Sequence, residues 1–387
     1  MEIVVKTKKG LFIRQNEDSS LTIFSPYSGL FFAVAKQYAS SVLDYYNGKE
    51  VVLPEIIIRN LNIGISEYRG KFDIVHWLPQ KEFFDRRLIE KPIVVNWLIS
   101  NKCNFNCSYC YAGDVIDKDF EDSNIVEIAN RILALNPLAI VFSGGEPLLE
   151  KEKIMKALKV LGDKVGIILD TNGYIYDDEL VAALKKCNAV IRISLDSLHN
   201  ELNSKIRPMK DSCANKTALE TIIKNLFKYE ENNLTVLIHT VVTPINKNSL
   251  DDLYEKLPLL GVNGWRIFSV LNPNNEERRE SFKKIIIKGH SKHTKNKELT
   301  NKDIEEVQQD IQYKISIFKK KKSSKCNFSF EVVASNESSK NSVILVLPDG
   351  KFATENIFKH EKVVINVEAI FKDVDLRMHY ERYLGKI

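Results

Sequence analysis

No run of this sequence stays apolar for the roughly 20 residues that a membrane-spanning helix requires. The opening MEIVVKTKKG lacks an apolar region followed by a small-residue cleavage site. These two absences argue against a helical membrane protein and against a secretory signal, and make a cytoplasmic protein the expectation. Cysteine is sparse: there are six in 387 residues, and Cys187, Cys213 and Cys326 stand alone. Such spacing excludes the disulfide framework of a small secreted protein. No histidine lies within 20 residues of the one group of cysteines, Cys103, Cys107 and Cys110. A structural zinc site, which needs a fourth cysteine or histidine nearby, is thereby disfavoured. An excess of one charge is missing too. With 56 basic and 51 acidic residues the net charge is +5, which permits an anionic partner without demanding one, and nucleic acid is not expected as a ligand.

What is present is a chain 44% hydrophobic and 28% charged, able to bury a large core, with a length that implies two or three domains. The stretch 101–113, NKCNFNCSYCYAG, places its cysteines in a C-x3-C-x2-C array directly after an apolar run at 93–99 that reads as a buried strand. Three thiolates on one short loop can hold a metal cluster. A [4Fe–4S] cubane normally takes four, so three leave one iron open to a ligand that donates nitrogen and oxygen.

Residues 1–91 read as a small α+β unit. Short strands at 2–6, 11–14 and 21–24 are separated by Lys-Lys-Gly and Asn-Glu-Asp-Ser turns. A helix is expected next, with Ser25 as its cap and Pro26 at its first position. Its apolar residues would be Leu30, Val34, Val42 and Leu43, and Gly48 would end it. The segment 55–63 after Pro54 reads equally as helix or strand.

From 92 to 272 the chain alternates strand-like and helix-like segments, the pattern of βα units on a parallel sheet. Strands are expected at 93–99, 139–142, 165–169, 190–195, 235–242 and 265–270, with helices at 124–135, 151–161, 178–186, 215–231 and 249–259. Ligands of such folds sit at the carboxyl ends of the strands, and the chemically notable residues fall there.

Those residues carry a resemblance. The cysteine array with Tyr109 before its third cysteine, followed after a second strand by Ser143-Gly144-Gly145-Glu146-Pro147, resembles the radical S-adenosylmethionine (SAM) superfamily. The resemblance implies a partial (β/α)6 TIM-like barrel, an α/β fold, with Cys103, Cys107 and Cys110 as ligands of one [4Fe–4S] cluster. It implies that Tyr109, Gly144, Gly145, Glu146 and Pro147 contact SAM, with the glycines letting backbone carbonyls approach the methionine amino group and Glu146 as an anionic acceptor. It extends to Thr171 and Asn172 after the third strand, and to Ser194 and Asp196 after the fourth. Arg207 resembles the arginine that pairs with the methionine carboxylate, which suits its planar fork, and Val241 is expected to pack on the adenine. The implied activity is reductive cleavage of SAM to a 5′-deoxyadenosyl radical that abstracts hydrogen from an unactivated carbon, with a flavodoxin or ferredoxin as electron donor.

The C-terminal part, 273–387, is expected to open with a polar loop at 272–301 around Ile285-Ile286-Ile287. A helix at 301–318, the lysine run 319–322, strands at 328–334 and 342–347, a Pro348-Asp349-Gly350-Lys351 turn and a helical end at 364–384 follow. This order resembles the SPASM extension of radical SAM enzymes that modify ribosomally made peptides. It departs from that extension because no cysteine follows Cys326. A single cluster and a cluster-free extension are therefore expected. The N-terminal unit is similar to the winged-helix-like element by which such maturases hold a leader peptide, or else it covers one face of the catalytic domain. The resemblance thus points to a peptide substrate that is epimerised or crosslinked, with Cys213 as a candidate hydrogen-atom donor. A small-molecule or nucleotide modifier is the alternative, and a non-catalytic iron–sulfur scaffold a more distant one.

Overall fold

The computed structural model describes residues 4–7, 10–16, 19–55, 57–58, 91–107, 109–110, 112–121, 123–270, 301–323, 330–333, 342–356, 361–365, 374 and 376–384. Cys326, the Ile285-Ile286-Ile287 island and most of 59–91 lie outside them.

The N-terminal unit is an antiparallel sheet in the order β1 (Val5–Lys6), β2 (Phe12–Gln15), β3 (Leu21–Ser25) and β4 (Leu30–Val34), followed by helix α1 (Lys36–Tyr46). The expected helix start at Ser25 is wrong. Ser25 pairs with Leu30 across a turn in which Gly29 N donates to Ser25 O at 2.8 Å, and the helix begins 11 residues later at Lys36. Leu30 and Val34 fit helical spacing, but Leu-Phe-Phe-Ala-Val also alternates, and packing decides between the two. Phe31 stacks on Phe24 with ring centroids 4.7 Å apart, while the other face of the sheet, through Ile13 and Ile23, packs on Val42 and Tyr46 of α1. Gly48 has φ +81° just past α1, as its expected role requires. Pro54 opens a helical turn, with Ile57 N donating to Pro54 O at 2.9 Å.

Six parallel strands then form the core: β5 (Val94–Ser100), β6 (Ala139–Gly144), β7 (Gly166–Thr171), β8 (Val190–Ser194), β9 (Thr235–Val242) and β10 (Gly264–Ser269), each hydrogen-bonded to the next. Between them run α2 (Ile125–Ala134), α3 (Lys151–Leu161), α4 (Asp178–Lys186), α5 (Asn200–Ile206), α6 (Ala218–Glu231) and α7 (Leu250–Lys256). Local caps set several starts: Asn124 accepts from Val126 N and Glu127 N, and Asp177 accepts from Leu180 N. Of these helices α5 was not foreseen, and α6 starts three residues late because 212–216 winds as a 3-10 turn. The architecture is the α/β, partial-barrel arrangement expected.

The two faces of this sheet differ. Ile140, Ile167, Leu169, Ile191, Ile193 and Ile238 pack under the helices. On the opposite face, which lines the barrel, Val141, Ile168, Val190 and Leu237 pack with Phe12, Phe24 and Phe31 of the N-terminal sheet. A Cβ on Gly166 would stand 2.2 Å from the Phe24 ring, so the two sheets touch without a gap.

The C-terminal segments widen the core sheet on both sides. After α8 (Asn301–Ser323), strand β11 (Phe330–Val333) runs parallel beside β10. Strand β12 (Ile344–Val346) lies parallel to β5, and β13 (Phe352–Asn356) and β14 (Glu361–Val364) continue antiparallel beyond it. Two expectations are corrected here. Helix α8 does not stop at Phe318 but runs through the lysine run, because Lys322 reaches Asp251 at 2.9 Å and lies 4.5 Å over the Tyr254 ring of α7. Val364 ends a strand, not a helix, because the Lys-Val-Val sequence pairs with β13, and α9 is limited to Leu376–Leu384.

Candidate functional site

Strand β5 ends at Ser100, and the cysteine loop leaves from there beside the end of β6. Gly145 N donates to Ser100 O at 2.8 Å, and Glu146 N donates to Lys102 O at 2.7 Å. A Cβ on Gly144 would lie 2.2 Å from Ser100 O, and one on Gly145 would lie 2.1 Å from Lys102 O and 3.1 Å from the Cys103 Cβ. The two glycines therefore serve the approach of one backbone to another. This backbone contact stands beside the expected reason, access for a ligand.

Glu146 is tied into the protein beside the role expected of it. Its carboxylate is buried and accepts from Leu148 N at 3.1 Å, Thr171 Oγ1 at 2.8 Å and Asn172 N at 2.7 Å. It caps the 3-10 turn begun by Pro147 and ties the end of β6 to the end of β7. Burial pushes its pKa up to about 7, against those three hydrogen bonds. Two of these donors reach one carboxylate oxygen and one reaches the other, so the side chain braces the turn and keeps an acceptor position on its second oxygen.

The far side of the cysteine loop is held as well. Asn172 Nδ2 donates to Asn104 Oδ1 at 2.7 Å, Asn106 N donates to Pro208 O at 2.7 Å, and Lys210 N donates to Asn104 O at 2.9 Å. Phe105 and Met209 form an antiparallel bridge, so the loop is sandwiched between the β7 end and the chain that follows α5. Sequence alone does not single out Asn104, Phe105 or Met209; these contacts join positions 68 or more residues apart, and no local signal marks them.

Beneath the loop, the Tyr109 hydroxyl donates to the Asp196 carboxylate and accepts from Arg207 Nη1 at 3.3 Å. Asp196 also accepts from Val241 N at 2.8 Å, so Val241 contributes its backbone to this network. Arg207 is buried, stacks 5.7 Å over the Phe105 ring, and has an Nε with no partner. Burial raises the Asp196 pKa, and Arg207 and the two hydrogen bonds oppose the shift. Burial likewise pushes the Cys103 thiol up to about 11 and the Cys107 thiol up to about 12, with the neighbouring thiols adding to the shift and Arg207 opposing it. Half-buried thiols so disposed need a cation to become thiolates, and an iron–sulfur group supplies one. The chemistry of the donors fits such a group, although among the described residues no three metal-ligating side chains already stand together as a formed site.

The remaining candidates are more scattered. Ser194 ends β8 half-buried. Cys213 is exposed on the 3-10 turn capped by Asp211, whose carboxylate accepts from Cys213 N at 3.0 Å. Cys187 is buried at the end of α4, in keeping with a packing role.

The sequence model of the radical SAM superfamily matches residues 97–257, the stretch that runs from within β5, just before the cysteine loop, to the end of α7. The radical SAM match is thus a property of residues 97–257. Members of that superfamily use a [4Fe–4S] cluster together with SAM. An uncharacterized protein of Methanocaldococcus jannaschii is 29% identical over 202 residues, which covers 49% of this chain and 68% of that one. An S-adenosylmethionine-dependent nucleotide dehydratase of Psychrobacter lutiphocae is also 29% identical, over 48% of this chain and 67% of its own length. Among solved structures, SuiB of Streptococcus suis superposes with a TM-score of 0.54 at 10% identity, covering 98% of this chain and 90% of SuiB. SuiB has also been solved with SAM and with its precursor peptide SuiA. At that identity the likeness is one of fold, and it extends from residues 97–257 through the segments on either side. Among the described residues, no helix is long and apolar enough to cross a membrane.

Proposed function

We propose that this protein is a radical SAM enzyme that modifies a ribosomally made peptide. The observation that carries the first half is the cysteine loop, braced by Gly145, Glu146 and Asn172 at the carboxyl ends of β5, β6 and β7. The second half is supported by the likeness to SuiB, which spans 98% of the chain, whereas the curated relatives match about half of it.

In this reading Cys103, Cys107 and Cys110 hold one cluster. When bound, a reduced cluster and SAM supply hydrogen-atom abstraction from an unactivated carbon. The chain's own residues bind, orient and exclude water. Arg207 offers its buried, unpartnered Nε–H to an anionic group such as the methionine carboxylate. Asp196 balances that charge and fixes Tyr109, and Gly144, Gly145, Pro147, Thr171, Asn172, Ser194 and Val241 shape the walls. Residues 1–91, 92–272 and 273–387 would act as an N-terminal unit, the radical SAM core and a cluster-free extension, with a flavodoxin or ferredoxin as reductant. Whether the N-terminal unit takes a leader peptide is part of the proposal; its packing onto the barrel favours a covering role as well. For an epimerisation, Cys213 would return hydrogen to the substrate radical, and Cys213→Ala that still inverts the substrate removes it from the mechanism.

Co-expression with a short peptide encoded beside it tests the reading. A change in peptide mass or residue chirality that depends on Cys103 supports it. An unchanged peptide together with turnover of a nucleoside triphosphate replaces it with the second reading, favoured by the identity to the nucleotide dehydratase.

A further inference from the structure

Strand alternation places a second, charged layer on the barrel-lining face, between the apolar contact with the N-terminal sheet and the strand ends that carry the cofactor site. Ile168, Val190 and Leu237 form the apolar layer; two residues further along each strand come Asp170, Arg192 and His239, joined by Arg266 and Phe268 from β10 and Glu331 from β11. Register confirms the neighbours: Asp170 stands opposite Arg192, His239 opposite Arg266, and Arg266 opposite Glu331.

The charges in this layer are matched. Arg192 binds Asp170 through both Nε and Nη2, the latter at 2.7 Å, and Arg266 Nε lies 2.8 Å from Glu331. The carboxylate side chains remain 32% and 42% exposed, so the outer ends of the two pairs reach solvent while the guanidinium groups are largely covered. His239 lies between the two pairs, edge-on to the Phe268 ring with centroids 5.1 Å apart. Its Nε2 is buried and has no hydrogen-bond partner. Burial and the two guanidinium groups hold the imidazole neutral.

We propose that His239 is a substrate-contacting residue, and that the group it takes is an uncharged amide of the peptide substrate. The proposal rests on the radical SAM reading above and names the chemistry of the group that enters the barrel. In a neutral imidazole Nε2 either accepts or donates according to the tautomer, so it can take the N–H or the oxygen of an amide, and a buried ring nitrogen without a partner gains one when such a group binds. A phosphate would meet two guanidinium charges already balanced by Asp170 and Glu331, and would crowd both carboxylates. Glu331 comes from β11, so the C-terminal part completes this layer.

The test uses the reconstituted, SAM-loaded full chain. Its probes are a mixture of N-acetyl dipeptide amides and, separately, cytidine triphosphate, each followed by equilibrium dialysis. Formation of 5′-deoxyadenosine by the unaltered protein tests the radical SAM reading independently. The proposal expects amide binding that weakens about tenfold or more in His239→Phe and returns to within about threefold in His239→Gln, which keeps a donor and an acceptor. Absence of amide binding, binding unchanged in His239→Phe, binding lost equally in both variants, or displacement of the amides by cytidine triphosphate overturns it.

Discussion

The side-chain amide of Asn172 donates to the side-chain oxygen of Asn104 across 2.7 Å, joining the end of β7 to the cysteine loop. The same Asn172 accepts from Tyr174 N at 2.9 Å and donates its own backbone N–H to Glu146. One buried residue thus couples the loop, the Gly-Gly-Glu-Pro turn and the third core strand. Asn172→Ala is expected to cost about 1–3 kcal/mol of stability in urea unfolding, because it leaves buried partners unpaired. Paired with Asn104→Ala the losses should not add, since both remove the same bond.

Gly145→Ala tests the contact between the turn and the loop. The new Cβ would sit 2.1 Å from the Lys102 carbonyl oxygen, so backbone has to move beside Cys103. The expected outcome is a protein that folds but retains well under half of the iron of the unaltered chain after anaerobic reconstitution. Iron retained in full would mean that the loop tolerates displacement.

The N-terminal sheet should prove inseparable from the barrel. Phe24 is buried between the two sheets, and its removal opens a cavity against Gly166 and the ring of Phe31. Phe24→Ala is expected to destabilise the whole chain by about 3–5 kcal/mol in a single transition. A unit that merely carried a peptide, without packing on the core, would leave unfolding of the core unchanged.

His379 gives a pH dependence of defined sign. Its Nε2 accepts from Ile93 N at 2.9 Å and Val94 N at 3.3 Å, and its Nδ1 donates to Ser342 O at 2.7 Å, so it splices β5 to the chain entering β12. Burial lowers its pKa from 6.5 to about 3. The unfolded chain therefore takes up the proton first, and this group costs stability progressively as the pH falls below about 6.5, by about 2 kcal/mol at pH 5. Above about 6.5 it has no effect on the slope. His379→Gln should be less stable at pH 7 by about 1–3 kcal/mol yet lose less on going to pH 5. The difference between the two proteins isolates His379 from other titrating groups.

Legibility in the sequence followed locality. Helices 151–161 and 178–186 and strand 235–242 match residue for residue, because caps, charge and periodicity within each segment agree. The stretch 25–34 was misread because Pro26 suits a turn as well as a helix start, and only Phe24 and α1, brought up by the rest of the fold, choose between them. The C-terminal strands were visible as strands, but their places beside β10 and β5 depend on sheet order, which no window of sequence carries. The candidate site divides in the same way. Its cysteines and Gly-Gly-Glu-Pro turn are contiguous motifs. The Tyr109–Asp196–Arg207 network and the Asn104–Asn172 bond exist only because four strand ends meet, and the three donors that brace Glu146 come from two different segments.

The central claim, that the loop of Cys103, Cys107 and Cys110 serves SAM cleavage, is tested most directly by anaerobic reconstitution, reduction with dithionite and assay of 5′-deoxyadenosine. The account predicts 5′-deoxyadenosine from the intact chain carrying about four irons, and none when the three cysteines are replaced by alanine. An intact chain that holds its iron, binds SAM and forms no 5′-deoxyadenosine, or a triple-alanine variant that forms as much as the intact chain, would contradict it.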